Sequence, residues 1–62
     1  MKITFYKNAL NSYDEPYECL LTSYCFPANI SEEIAIEKAI KSFQIECKCE
    51  HWKDLADYYR IE

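Results

Sequence analysis

The sequence predicts a small α+β domain of ββαβ order, in which an antiparallel sheet packs on one amphipathic helix. Three patterns carry this expectation: two strand-like segments, Met1 to Tyr6 and Tyr17 to Phe26; helically spaced apolar residues from Ile34 to Cys47; and a short closing strand, Tyr58 to Glu62. All 62 residues belong to a single domain, residues 1–62, because a chain this short buries only about 60% of the surface its unfolded form exposes. Hydrophobic residues make up 50% of it and aromatics 16%, which is enough apolar material to fold and excludes an unstructured tail. No internal repeat, linker or low-complexity tract suggests a second unit.

In the first strand Met1, Ile3 and Phe5 alternate with Lys2, Thr4 and Tyr6, the period of a strand buried on one face. Asn8 to Pro16 gathers Asn, Ser, Asp and Pro and reads as a connecting loop. Tyr17 to Phe26 is aromatic and β-branched and pairs antiparallel with the first strand as a long-looped hairpin. Regular alternation places Cys19, Leu21 and Cys25 on one side of it and Leu20, Tyr24 and Phe26 on the other, so neither side reads as solvated.

Pro27 ends this strand. Ser31 stands as an N-cap before Glu32 and Glu33, acids suited to the positive end of a helix dipole. Ile36, Ala39, Ile40, Phe43 and Cys47 then form an apolar stripe about four turns long, widened by Ile34 and Ala35. Glu37, Lys38, Lys41 and Gln44 lie opposite, and Glu37 and Lys41 make a favourable i, i+4 pair. With no glycine to mark a C-cap, Cys47 to His51 either continues the helix or breaks it before a short turn near Trp52. Tyr59 and Ile61 share one face of the last strand, Tyr58 and Arg60 the other. A single helix covers one sheet face, so the second strand's other apolar face requires a partner, and a two-fold homodimer through Leu20, Tyr24 and Phe26 is the economical one.

Eleven acids against seven bases give a net charge of -4, the wrong sign for direct attraction to nucleic acid or to anionic lipid. No run approaches the roughly 20 apolar residues of a membrane span, and the N-terminus lacks the apolar core of a signal peptide, so a cytoplasmic protein is expected. In a reducing compartment its four cysteines are expected to be free thiols. The absence of glycine removes phosphate-cradling loops.

Cys47, Cys49 and His51, with Cys19 or Cys25, form the one set with metal-ligand chemistry. A C-x-C spacing on a helix points its thiolates about 200° apart, unlike the knuckles of structural zinc sites. Buried or partly exposed thiols are therefore the plainer expectation, and no metal or cofactor is assigned. A Cys–His nucleophile would need a pocket and an oxyanion site that so small a chain has little room for, so no enzyme activity is expected. His51 is expected at the surface or at a helix end.

Six tyrosines are the most informative feature, because tyrosine gives a large, rigid contact at low entropic cost. Tyr6, Tyr24, Tyr58 and Tyr59 are the candidate binding residues. Stacking on single-stranded nucleic acid would need a basic groove that the sequence does not offer. The acids Asp14, Glu15 and Glu18, and separately Glu46, Glu50, Asp54 and Asp57, read as solvated faces, or as charge offered to a basic partner as a DNA mimic would.

The layout MKITFYKN, the amphipathic NISEEIAIEKAIKSF and the ending HWKDLADYYRIE resemble the tiny acidic proteins of bacteriophages and mobile elements that counter bacterial immunity, of the anti-CRISPR or anti-Hachiman type. The resemblance is one of size and style along the whole chain and carries no functional residue with it. It implies a mode of action: stoichiometric binding that disables a host defence enzyme in the host cytoplasm. The expectation is thus a non-enzymatic protein-binding inhibitor, and the alternative a small zinc-binding or transcription-associated module using Cys47, Cys49 and His51.

Overall fold

A computed structural model describes residues 1–62. Strands β1 (Lys2–Leu10) and β2 (Pro16–Cys25) precede helix α1 (Glu32–Cys47), a 3₁₀ turn (Trp52–Asp54) and strand β3 (Tyr58–Ile61). The ββαβ order is the one the sequence predicts. The sheet is antiparallel in the order β2-β1-β3, so β1, the most buried strand, occupies the centre and β2 and β3 are edges.

The long loop expected from Asn8 to Pro16 is not found. Asn8, Ala9 and Leu10 instead pair with Glu18, Tyr17 and Pro16, which leaves a tight turn of Asn11 to Glu15. Asn11 explains the difference. Its backbone N–H donates to the Glu15 carbonyl at 3.0 Å and its carbonyl accepts from Asp14 N–H at 3.1 Å. Its side-chain Oδ1 accepts from the N–H groups of Tyr13 (2.8 Å) and Glu15 (3.0 Å). Asp14 adopts the left-handed region at φ 60°, a conformation that Asp tolerates better than most residues.

A bulge between Phe5 and Tyr6 changes the phase of β2. Phe5 pairs with Thr22 and Tyr6 with Leu20, so Leu21 is the extra residue. The regular alternation expected for β2 therefore fails. Tyr24 and Phe26 pack against the core on the helix side, whereas Leu20 lies opposite Tyr6 on the open face and is 57% exposed. Leu20, Tyr24 and Phe26, expected to form one dimer-building face, do not share one.

The core joins Ile3 and Phe5 of β1 to Ala35, Ala39 and Phe43 of α1 and to Ala56. The two alanines centre the buried stripe because they let the helix lie close to the sheet, and the Phe5 and Phe43 rings stack at 4.4 Å with an interplanar angle of 10°. Ile36 and Ile40 flank this line, half-buried against the core, while Ile34 and Cys47 are exposed. Ser31 stands at the N-cap position in extended conformation, but its side chain makes no capping bond. At the other end Lys48 takes φ 53°, with Lys48 N–H on the Ile45 carbonyl and Cys49 N–H on the Gln44 carbonyl. This is a Schellman ending built without glycine.

The open face of the sheet is not bare at its centre. Tyr6 and Tyr58 stack at 5.5 Å, and the Arg60 guanidinium lies over both rings, 5.0 and 5.5 Å from their centroids. Glu18, reaching from the opposite edge strand, pairs with Arg60 at 2.7 Å and accepts the Tyr58 hydroxyl. Beneath this layer Thr4 is 1% exposed, and Tyr6 within it 8%. Long polar side chains thus cover a face expected to need a second copy.

Candidate functional site

The pairing of β3 with β1 stops at Tyr6, but the β1–β2 ribbon runs on to Leu10 and Pro16. Asp57 marks the end: its N–H donates to the Tyr6 carbonyl at 2.9 Å, and its carboxylate accepts the next outward-facing amide, that of Asn8, at 2.7 Å. That carboxylate occupies an amide which a longer β3 would have paired, so the last residues of the ribbon stand free as a two-stranded arm. The molecule is elongated as a result, with extents of 43 × 24 × 14 Å.

Three exposed large apolar side chains project from this arm, Tyr13 at 81%, Leu10 at 63% and Tyr17 at 49%, and Leu20 at 57% stands at its base opposite Tyr6. A two-stranded ribbon gains little from its own packing, and apolar groups on it do not serve the core. Tyr13 stands at the apex, held by the Asn11 bonds described above, between Asn11 and the acids Asp14 and Glu15.

Where the arm meets the body there is an open cleft of about 470 Å³. Phe43 forms its floor. Leu21, Thr22, Leu55 and Cys47 line it, together with the charged Lys7 and Glu46. The bulge creates part of this wall, because it turns Leu21 and Thr22 to the same side.

The four tyrosines singled out from the sequence are committed elsewhere. Tyr6 and Tyr58 belong to the covering layer of the open face. Tyr59 packs edge-on against Trp52 and Phe5, at 5.5 and 6.1 Å. Tyr24 also meets Phe5 edge-on and donates its hydroxyl to Glu46 at 2.8 Å. Burial, reinforced by the Glu46 carboxylate, pushes the Tyr24 phenol up to about 12. The Tyr58 phenol is raised for the same two reasons, with Glu18 as its carboxylate. Sequence reasoning missed Tyr13, Tyr17 and Leu10. A signal was present: Tyr13 is an aromatic inside a cluster of turn-forming residues, where a ring has no strand face or helix face to join.

Cys19, Cys25, Cys47 and Cys49 are free thiols, and no group of three or more His, Cys, Asp or Glu side chains is placed to hold a metal ion. Cys47, Cys49 and His51 are separated by the helix ending. Cys49 follows the left-handed Lys48, and its thiol is pushed up by burial and by the neighbouring Cys47 and Asp54. His51 caps the 3₁₀ turn: its Nδ1 accepts from Lys53 N–H at 3.2 Å, and its own N–H donates to Asp54 at 3.3 Å.

Four of the seven clustered acids have structural partners, namely Glu18 (Arg60, Tyr58), Glu46 (Tyr24), Asp54 (His51) and Asp57 (Asn8). Asp14 and Glu15, at the arm's turn, have none through their carboxylates. No helix is long and apolar enough to cross a membrane. Comparison with protein-family models, with curated proteins and with solved structures found no match.

Proposed function

We propose that the chain is a non-enzymatic protein-binding inhibitor that acts by stoichiometric contact. Its target in this proposal is a bacterial anti-phage defence enzyme in the host cytoplasm, the setting implied by its likeness in layout to small phage counter-defence proteins. One observation carries the protein-binding part: an arm that contributes nothing to the core yet displays Leu10, Tyr13 and Tyr17 to solvent. Rigid aromatic and aliphatic groups gathered on a projecting element are what a partner surface uses as anchors. The homodimer expected from β2 loses its chief support, because the Tyr6–Tyr58–Arg60–Glu18 layer covers the centre of the face it was to bury.

The test is plating efficiency. The chain is expressed in a panel of bacterial strains, each carrying one defined anti-phage system, and each strain is challenged with a phage that its system restricts. Restoration of plating on one strain, with the defence enzyme co-purifying in fixed stoichiometry, is the expected outcome. Unchanged restriction across the panel would sink the inhibitor reading.

A further inference from the structure

We infer that the apex of the arm is the anchor of the interface, and that Tyr13 enters an apolar pocket on the partner protein whose rim is basic. This rests on the protein-binding reading above and deepens it by naming the contact residue and the chemistry it meets.

Three independent observations converge on Tyr13. It is the most exposed large hydrophobic of the chain at 81%, and no aromatic partner restrains its ring. Its backbone is fixed before any partner arrives, since Asn11 supplies all four hydrogen bonds that hold the turn: one from its N–H, one to its carbonyl and two to Oδ1. A ring presented on a rigid turn gives up little conformational entropy on binding, which distinguishes an anchor from a loose loop residue. The third is charge. Asp14 and Glu15 follow the ring directly, and their carboxylates make no intramolecular bond, whereas Glu18, further down the arm, is occupied by Arg60 and Tyr58.

Charge then selects the occupant. A second copy would bring the same acids to the contact on a chain of net charge -4, and like charges placed across an interface are strongly unfavourable. Nucleic acid is excluded from the apex on the same ground. A protein pocket rimmed by Arg or Lys accepts the ring inside and both carboxylates at the edge. Asn11 is a positioning residue in this scheme, acting only through the turn it holds.

A benzophenone side chain placed at the apex tests the inference. The full chain is made as Tyr13→p-benzoylphenylalanine, with Glu37→p-benzoylphenylalanine on the outer helix face as the control, and is irradiated in cells of the plating panel. The cross-linked peptides are then sequenced. The expected result is an adduct from position 13 and none from position 37, on a protein peptide carrying two or more Arg or Lys residues. In lysate of the same cells irradiated at set ionic strength, its yield should fall several-fold as salt rises from about 0.1 to about 1 M. It should fall again with Asn11→Ala, in a variant whose core is shown intact by unaltered Trp52 fluorescence. An adduct with the chain's own peptides, with nucleic acid or with a peptide lacking basic residues would overturn the inference, as would no adduct at position 13. Restored plating without a position-13 adduct would remove the apex assignment and leave the inhibitor reading standing. An adduct on a basic peptide without restored plating would do the reverse.

Discussion

Phe43→Ala puts the core assignment at most risk. Phe43 is 1% exposed and stacks on Phe5 at 4.4 Å, so truncation removes both the burial of its ring and the stacking contact. Core Phe→Ala changes cost about 3–5 kcal/mol, and a stacked aromatic pair is worth about 0.5–1.5 kcal/mol beyond its area. One feature of the site lowers the first figure. Phe43 floors the open cleft, so the space left behind joins solvent and does not remain an empty void. A total near 4 kcal/mol results, against a stability of about 3–9 kcal/mol for a chain of this length. Urea unfolding followed by Trp52 fluorescence reads the change, since the indole lies 5.8 Å from the Phe5 ring and reports on the same core. With a slope near 1 kcal/mol per molar, the midpoint should fall by about 4 M, or the variant should be unfolded before urea is added. Ile45→Ala, at a position 69% exposed on the same helix, should move the midpoint by less than about 0.5 M. A Phe43→Ala shift below about 1 M, or one no larger than that of Ile45→Ala, would refute the stacked-core account.

Lys48→Gly should raise stability by about 1 kcal/mol, read as a higher urea midpoint, because the residue ending α1 sits at φ 53°, where glycine carries no Cβ penalty. An unchanged or lower midpoint would show that Lys48 is not held in that conformation. Thr4→Val should also stabilise, by about 1 kcal/mol in thermal unfolding, since Thr4 Oγ1 is enclosed without a hydrogen-bond partner and the methyl replacing it keeps the shape. A loss would mean that the hydroxyl is satisfied in solution. Tyr24 gives a pH prediction with a definite sign. Its folded phenol is raised to about 12 from an ordinary value of 10.0, so between those values the unfolded chain gives up its proton first and is favoured. The stability contribution is complete below pH 10 and disappears as pH climbs through 12; Tyr24→Phe should flatten that part of the stability profile, and an equally steep fall in the variant would rule out Tyr24 as its source.

Several parts of the fold were legible because they depend on neighbours in sequence. The alternation of Ile3 and Phe5 with Thr4 and Tyr6, a helical stripe through Ala39 and Phe43, expected to centre on Ile36 and Ile40 and found centred on Ala35 and Ala39, and the opposite faces of Tyr58 and Tyr59 all follow from the fixed periods of strand and helix. The position of Ser31 and the acids that follow it were equally local, whereas the turn near Trp52 was one of two alternatives that the lack of glycine left open.

Tertiary structure decided what those periods cannot reach. The bulge at Leu21 is a mismatch between two strands, and a period-2 reading of β2 alone has no means of placing it; one inserted residue moved Leu20 away from Tyr24 and Phe26. The shortness of the hairpin turn depended on Asn11 reaching across to Glu15. The use of the tyrosines depended on β1 lying between β2 and β3. That order lets Arg60 and Glu18, from opposite edges, meet over Tyr6, and the early end of β3 leaves Tyr13 in water. The sequence by itself determined which segments become strands and helix, because those preferences are summed over adjacent residues. Only the folded chain determined which aromatic rings are occupied and which are free, because that depends on groups as far apart as Glu18 and Arg60.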